Sequence, residues 1–411
     1  MCPKSFSSLM FSYDPHKASL IWLVVIVMLT GISTSAQTFT DSGFAVETVA
    51  TLPVFTPVGI TFASDGRMFI TQKGGVIRIV KNGTLLTAPF IDISARVNRN
   101  GDRGLMGFAL DPNFSSNGFA YLLYVFEEAG NPNDGAPKTA RLTRVKVDPA
   151  NPDVALANSE VVLVGTIGTV PCSEGADCIP SDSTSHTVGT VKFGPDGKLY
   201  MGMGDGGFFT FIDARSLRAQ NLNFYNGKIL RLNPDGTAPS DNPFYDGTNS
   251  VKSKVYNYGL RNPFRFTIHP TTGEVMMADV GQSTWEEINR GRGQNFGWPC
   301  FEGNAPEPDF QSQFPQTCSV LPTSAVTFPL YAYPTLGGSA VIGGPFYTAT
   351  QFPADYRGNF FFGDYVKDFI RRMVFDANNN VIGVQDFATN VGAPVDLQLD
   401  RKSTRLNSSH G

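Results

Sequence analysis

The sequence predicts an all-β protein, a six-bladed β-propeller whose last blade is cut short. Three observations carry this. A hairpin-like repeat recurs six times, the composition favours turns and aromatic strands, and no long stretch holds a helical period. The chain has 42 glycines, 28 prolines and 33 phenylalanines, with 17% charged residues, the balance expected of many short strands joined by tight turns.

The clearest copies of the repeat occupy residues 59–70, 107–114 and 191–200. In the first and third, Asp65-Gly66 and Asp196-Gly197 separate two apolar runs, the mark of two strands joined by a hairpin. Looser copies start at Phe264, Phe346 and Val395. Radial repetition shields the strand edges of an all-β chain. A sandwich or two β domains would use the same strands, but no linker-like stretch divides the chain. The sixth copy stops at Asp400, before its second strand, so the reading includes an incomplete last blade and a missing native C-terminus.

Residues 1–36 read as an export signal. Lys4 and Lys17 precede the apolar run 20–29, and small residues up to Ala36 follow. The competing reading is an uncleaved anchor, although a spanning helix needs ~20 apolar residues. Residues 401–411 are polar and basic, follow Asp400 abruptly and resemble vector read-through. The expected propeller body is therefore 37–400. The whole chain carries a net charge of −4. Lys4, Lys17, Arg401, Lys402 and Arg405 lie in the two terminal segments with Asp14 alone opposing them, so the body is more acidic still. That argues against nucleic acid as a partner. Signal cleavage would leave a protein with no stable membrane insertion, secreted or periplasmic.

Apart from Cys2, the cysteines form two local sets, Cys172 with Cys178 and Cys300 with Cys318. Four cysteines allow three pairings. The local pairing is favoured in an exported chain, buried free thiols are the alternative, and the spacing lacks the double CxxC of a structural zinc site.

Four histidines are present. His16 and His410 fall in the terminal segments, and His269 reads as an exposed turn residue. His186 lies just before a strong strand and just after the Cys172/Cys178 loop, where a bridge would stiffen its support. An imidazole suits general-base work near neutral pH; a satisfied structural histidine is the equal competitor. Arg261-Asn262 sets a planar fork of donors beside an amide, against the reading of a structural ion pair. Residues 279–289 supply oxygen ligands of the kind calcium takes, although acid-rich loops are common.

Taken in order, several short pieces resemble the soluble PQQ-dependent glucose/sorbosone (aldose sugar) dehydrogenases. They are residues 104–108, 186–189, 204–207, 219–222 with 227–231, 261–263, and the loop from Asp279 running into 295–299. The last loop is also similar to the propeller of Hedgehog-interacting-protein-like proteins, which are best known as binders. The resemblance spans about Val46 to Asp400. It implies a general base at His186 that takes the proton of the anomeric hydroxyl while hydride passes to pyrroloquinoline quinone (PQQ). It implies Arg261, with Asn262 beside it, on the cofactor. It also implies Ca²⁺ on the main-chain carbonyls of Gly281 and Gln282, with Asp279 at the same loop, and a substrate side at Asp102 and Asp205. An aldose would be the substrate and an external electron acceptor the second partner.

Departures from the family pattern stand beside these matches. Asp102 replaces a glutamine of glucose-oxidising members, and Ser185 replaces the acid before the histidine. Val366 replaces a lysine on the quinone, with Lys367 adjacent. Two arginines that pair with PQQ carboxylates align near Ala393 and Val395. Unpaired buried anions are costly, so Lys367 or Arg371 would have to serve. The expected activity is a sugar dehydrogenase. The alternatives are a binding propeller without catalysis and a calcium-dependent hydrolase such as a lactonase.

Overall fold

The computed structural model describes residues 6–13, 37–52, 56–128, 130–400 and 406–410. It is a β-propeller of five blades, closed by one further sheet. Blade 1 runs outward through Pro57–Phe62, Met68–Gln72, Val76–Lys81 and Thr84–Leu85, with Ile91–Asp92 beside it. Blade 2 begins with Leu105–Leu110, Phe119–Phe126 and Lys138–Asp148. Blade 3 is Val188–Phe193, Leu199–Met203, Lys228–Leu232 and Val255–Tyr258. Blade 4 is Arg265–Ile268, Val275–Asp279, Trp285–Gly291 and Tyr331–Pro334. Blade 5 is Val341–Phe346, Phe360–Asp364, Phe369–Phe375 and Val381–Thr389, with Thr38–Phe39 on its outer edge.

The repeat read from the sequence marks the inner hairpins. Phe62 pairs with Met68 and Phe193 with Leu199, the same spacing around Gly66 and Gly197, both at positive φ. Glycine takes that conformation without the Cβ clash other residues suffer. The copies starting at Phe264, Phe346 and Val395 likewise fall on or beside inner strands. As expected, no long helix interrupts the sheets: the longest helix among the described residues, Ala214–Gln220, has 7 residues. No helix among them is long and apolar enough to cross a membrane.

Where six blades were expected, five stand complete. The sixth position holds a sheet of Pro394–Leu399, Leu406–His410, Phe6–Tyr13 and Phe44–Leu52, drawn from both ends of the chain. The apolar run 20–29 of the expected signal lies outside the described residues, as do 401–405 and 411 of the expected tail. The parts of those segments that are described form strands here. An open strand edge carries unpaired N–H and C=O groups that any extended segment can satisfy.

The ring is tight at its axis. A Cβ on Gly189 would lie 2.6 Å from the Phe264 carbonyl, and one on Gly343 would lie 2.6 Å from that of Arg265, so glycine lets neighbouring inner strands approach. Across the same axis lies the Arg265 guanidinium, 3% exposed. It donates to the carbonyls of Val395 (3.0 Å), Met106 and Phe264 (3.3 Å each) and Val58, and to the Thr190 hydroxyl (3.3 Å). One side chain thus ties blades 1 to 4 and the closing sheet. Asp396, 3.9 Å away, balances its charge. Between blades the core is aromatic, as in the Phe69, Phe90 and Phe108 cluster, whose edge-to-face and offset packing adds to simple area burial.

Inner strands begin, and second strands end, on one face of the ring. That face gathers the loops bearing Asp102, His186, Asp205, Arg261, Gln282 and Lys367. A cavity of ≈ 580 Å³ follows the axis below them, lined by Thr61, Phe108, Lys192, Arg265, Asp396 and Gln398 but by none of those six residues.

Candidate functional site

His186 sits at φ 48, a left-handed conformation that a residue with a Cβ adopts at a cost. Its surroundings hold it there. Its main-chain N–H donates to the Asp102 carboxylate (3.1 Å), and its carbonyl accepts from the Gly206 N–H (3.1 Å). A Cβ on Gly204 would meet that carbonyl at 2.3 Å. Asp102 is fixed in turn, its N–H donating to the Thr184 carbonyl (2.7 Å) and its own carbonyl accepting from the Thr187 hydroxyl (3.2 Å). The fully buried Arg103 donates to the carbonyls of Ser181 (2.7 Å) and Ser183 (3.2 Å). Blade 2 therefore laces down the loop that presents the histidine.

The imidazole is buried, and its Nδ1 lies 2.9 Å from Oδ1 of Asp205. A carboxylate there selects the tautomer with hydrogen on Nδ1 and leaves the Nε2 lone pair open. Asp205 is fully buried. Its Oδ1 also accepts from the Gly207 N–H (2.7 Å) and its Oδ2 from the Trp298 indole (2.8 Å). Burial pushes this carboxyl up, but His186 first, then Arg261 and the Ser216 hydroxyl, outweigh it and hold it at about 2. It stays ionised and can balance an imidazolium.

Arg261 is buried beside this pair. Its Nε and Nη2 donate to the Gln282 side-chain oxygen (3.0 and 2.8 Å) and its Nη1 to the Val280 carbonyl (3.0 Å). Burial lowers the guanidinium from its usual range, with Asp205 and Asp279 opposing. Asp279 does not reach toward the loop it was expected to serve. Its two oxygens accept the main-chain N–H groups of Arg261 (2.9 Å) and Asn262 (2.6 Å), and burial raises it to about 7. Its visible task is to shape the Arg261-Asn262 turn.

The loop of residues 281–285 folds around Glu302. One oxygen of that carboxylate accepts from the N–H groups of Gln282, Ser283, Thr284 and Trp285, at 2.8 to 3.2 Å. With those amides turned toward the acid, no donor among the described residues reaches the carbonyls of Gly281 and Gln282. Free main-chain oxygens suit calcium, so this loop fits the ion. No cluster of three acidic, histidine or cysteine side chains that could hold a metal occurs among the described residues.

The structure thus brings His186, Asp205, Arg261, Asn262 and Gln282 together. It gives Asp102, expected on the substrate side, the work of holding the His186 backbone, although its side chain is also exposed. Lys367 lies on the same face, its ammonium on the Leu336 carbonyl (3.0 Å). Arg371, offered as a substitute cation, is instead paired with Asp386 (2.7 Å). His269 caps its own turn, accepting from Thr271 and Thr272. Both local disulfides form, Cys172–Cys178 and Cys300–Cys318. Trp298, Arg103 and Glu302 were not read as site residues. Trp298 alone had a signal, its place in the 295–299 segment.

A β-propeller with a histidine–aspartate pair and a buried arginine on one face is the class that fold and site define. The Glucose / Sorbosone dehydrogenase family model matches residues 54–396, and the chain belongs to that family. It is 28% identical over 386 residues to the HIPL2 protein of Arabidopsis thaliana, covering 79% of this chain and 52% of that protein. It is 28% identical over 264 residues to quinoprotein glucose dehydrogenase B of Acinetobacter calcoaceticus, covering 60% and 51%. The chain thus matches about half the length of these relatives. Among solved structures, the PQQ-bound aldose sugar dehydrogenase of Streptomyces coelicolor superimposes with a TM-score of 0.63 at 20% identity, covering 91% of this chain and 98% of that one.

Proposed function

We propose that this chain is an exported, PQQ- and calcium-dependent sugar dehydrogenase that oxidises aldoses at C1. The observation that carries the reading is the open Nε2 of His186, backed by the ionised Asp205 and set beside Arg261. When bound, PQQ would supply a two-electron acceptor for the hydride leaving C1, polarised by calcium.

The chain's own residues do the rest. His186 Nε2 accepts the proton of the anomeric hydroxyl, and Asp205 stabilises the imidazolium that results. Arg261 and Asn262 would hold the quinone oxygens, the carbonyls of Gly281 and Gln282 the calcium, and Lys367 a cofactor carboxylate. The stacked rings of Phe208, Phe209 and Phe211 offer an apolar lip beside the site. The two disulfides support export to an oxidising space, and the closing sheet, inner-stranded like the others, is read as a sixth blade.

A second reading has a specific observation behind it. Val366, Ala393 and Val395 leave part of the expected anion clamp neutral, and the HIPL2 relative matches as well as the quinoprotein does. On that reading the face binds a protein or glycan and does no chemistry.

The test is dye-coupled oxidation of an aldose panel, with and without PQQ plus calcium, together with thermal melting. Cofactor-dependent turnover lost in His186→Ala, with the variant still folded although melting lower because Asp205 loses its partner, is the expected result. No turnover and no stabilisation by PQQ would favour the binding propeller, since a ligand of the native state must raise its stability. Unchanged turnover in His186→Ala would remove that residue from the mechanism.

A further inference from the structure

Blade 4 carries an insertion that its sheet does not require. Between Trp285–Gly291 and Tyr331–Pro334 the chain leaves the blade, forms two short helices pinned by Cys300–Cys318, and returns. Among the side chains this detour buries is Trp298, 4% exposed. Its main-chain N–H donates to the Gly259 carbonyl (3.0 Å), and its carbonyl accepts from Gln220 (2.7 Å). Its ring packs edge-on against Phe310 at 5.3 Å. The indole is therefore held from both ends.

Its two working edges touch the two charged halves of the site. The Nε1–H donates to Oδ2 of Asp205 at 2.8 Å, while Oδ1 of the same carboxylate faces His186. The face of the ring lies 5.5 Å from the Arg261 guanidinium, within cation–π reach. Asp205 and Arg261 attract each other, and both are buried, where a direct ion pair would be strong. Such a pair would draw the carboxylate from the histidine and occupy the guanidinium. The indole N–H holds Oδ2, and the ring gives Arg261 a neutral surface to rest on.

We propose that Trp298 is a positioning residue that keeps Asp205 on His186 and keeps Arg261, already hydrogen-bonded to Gln282 and Val280, out of a direct ion pair with that carboxylate, so that its remaining N–H groups can meet an anionic or quinonoid ligand. This rests on the dehydrogenase reading for its catalytic consequence, but its geometric consequence exists in the cofactor-free protein. Trp298→Phe keeps an aromatic ring and deletes the N–H. Trp298→His restores a donor in place, because imidazole Cγ–Cδ2–Nε2 overlays indole Cγ–Cδ1–Nε1.

The experiment has two arms. Crystal structures of the cofactor-free parent and both variants are compared first. Asp205 is expected to turn toward Arg261 in Trp298→Phe and to remain on His186 in Trp298→His. PQQ binding by fluorescence and steady-state kinetics follow. In Trp298→Phe the kcat should fall about ten- to a hundredfold, the range for one lost hydrogen bond to a charged group. Affinity for PQQ should also weaken, and Trp298→His should recover most of both. A Trp298→Phe protein with Asp205 still on His186, and with kcat and affinity within about twofold of the parent, would overturn the proposal. Should that variant fail to fold, Trp298→His decides: a folded protein with Asp205 displaced despite the restored donor refutes it. A parent without turnover defeats the dehydrogenase reading alone, since the crystal arm still reports on Trp298.

Discussion

Arg265→Met tests how the ring is closed. Methionine nearly fills the space of the arginine stem, so the change removes the five-donor head with little loss of volume. The carbonyls of Val58 and Val395 lose their partner across the axis. Asp396 keeps the Ile60 N–H (2.8 Å) and the Gln398 amide (2.8 Å) but loses the one cation within 4 Å of it among the described residues. Breaking one side of a buried ion pair costs ~3–5 kcal/mol. A chain of this length unfolds with an entropy of roughly 0.8 kcal/mol per kelvin, so the melting point should fall by roughly 4–6 °C. Scanning calorimetry at pH 7 reads this directly. Proteolysis should then cut first in the closing sheet, the one assembled from both ends of the chain. A melting point within 1 °C of the parent would show that the inner strands hold by packing alone and that Arg265 is a passenger.

Substitutions at three other residues separate local roles. Asp102→Ala should lower kcat about tenfold with little change in KM, because it uncaps the left-handed His186. Asp102→Asn keeps an acceptor and should retain most activity; an altered sugar preference in Asp102→Asn would instead put this residue on the substrate. Asp205 lies at about 2 when folded, below its ordinary 3.8, so its ionisation stabilises the fold above pH ~4 and that stability is lost as pH falls toward ~2. The gap in urea stability between parent and Asp205→Asn should therefore hold about 2 kcal/mol at pH 7 and close through that acid window. A gap independent of pH would refute the charge argument. Cys178→Ser opens a six-residue separation and should cost about 2 kcal/mol. It should also speed hydrogen exchange in Ile179–Ser181, the strand leading to His186. Unaltered exchange there would count against any support of the catalytic loop by that bridge.

Much of the fold was legible because its repeat is local. An Asp-Gly turn between apolar runs specifies a hairpin within a dozen residues, and those hairpins are the inner pairs of the blades. The blade count was less legible, because the closing sheet is assembled from the two ends of the chain. The site divides in the same way. His186 stood out by scarcity and Asp205 by its Gly-Asp-Gly-Gly setting. Trp298 lies 93 residues from Asp205, and nothing local says that its N–H will find a carboxylate. Arg265 opens an inner strand just after Phe264, and nothing local marks it as a residue of the axis. Only the closed ring turns that side of the strand toward an axis where five carbonyl and hydroxyl oxygens wait.

The charge on the site's face is where the two functional readings separate. On one side stand Arg261, Asn262 and the carbonyls of the 281–282 loop, which the dehydrogenase reading assigns to a quinone and its calcium. On the other, the amides of Val366 and Lys367 are turned to Asp364 (2.8 Å each), and those of Gly392 and Ala393 to Asp368 (2.6 and 2.8 Å). Acids occupy donors on the side where the dehydrogenase pattern calls for cations, and Lys367 in that stretch rests its ammonium on the Leu336 carbonyl. A cofactor with three carboxylates would then rely on Arg261 and calcium for most of its charge balance, making its binding steeply dependent on the ion. On the dehydrogenase reading, such dependence follows from Arg261 and the 281–282 carbonyls standing without the cations expected near Val366, Ala393 and Val395. A surface evolved only to bind a protein would have no reason to hold His186 in a left-handed turn, back it with a fully buried carboxylate and aim an indole at that carboxylate's second oxygen.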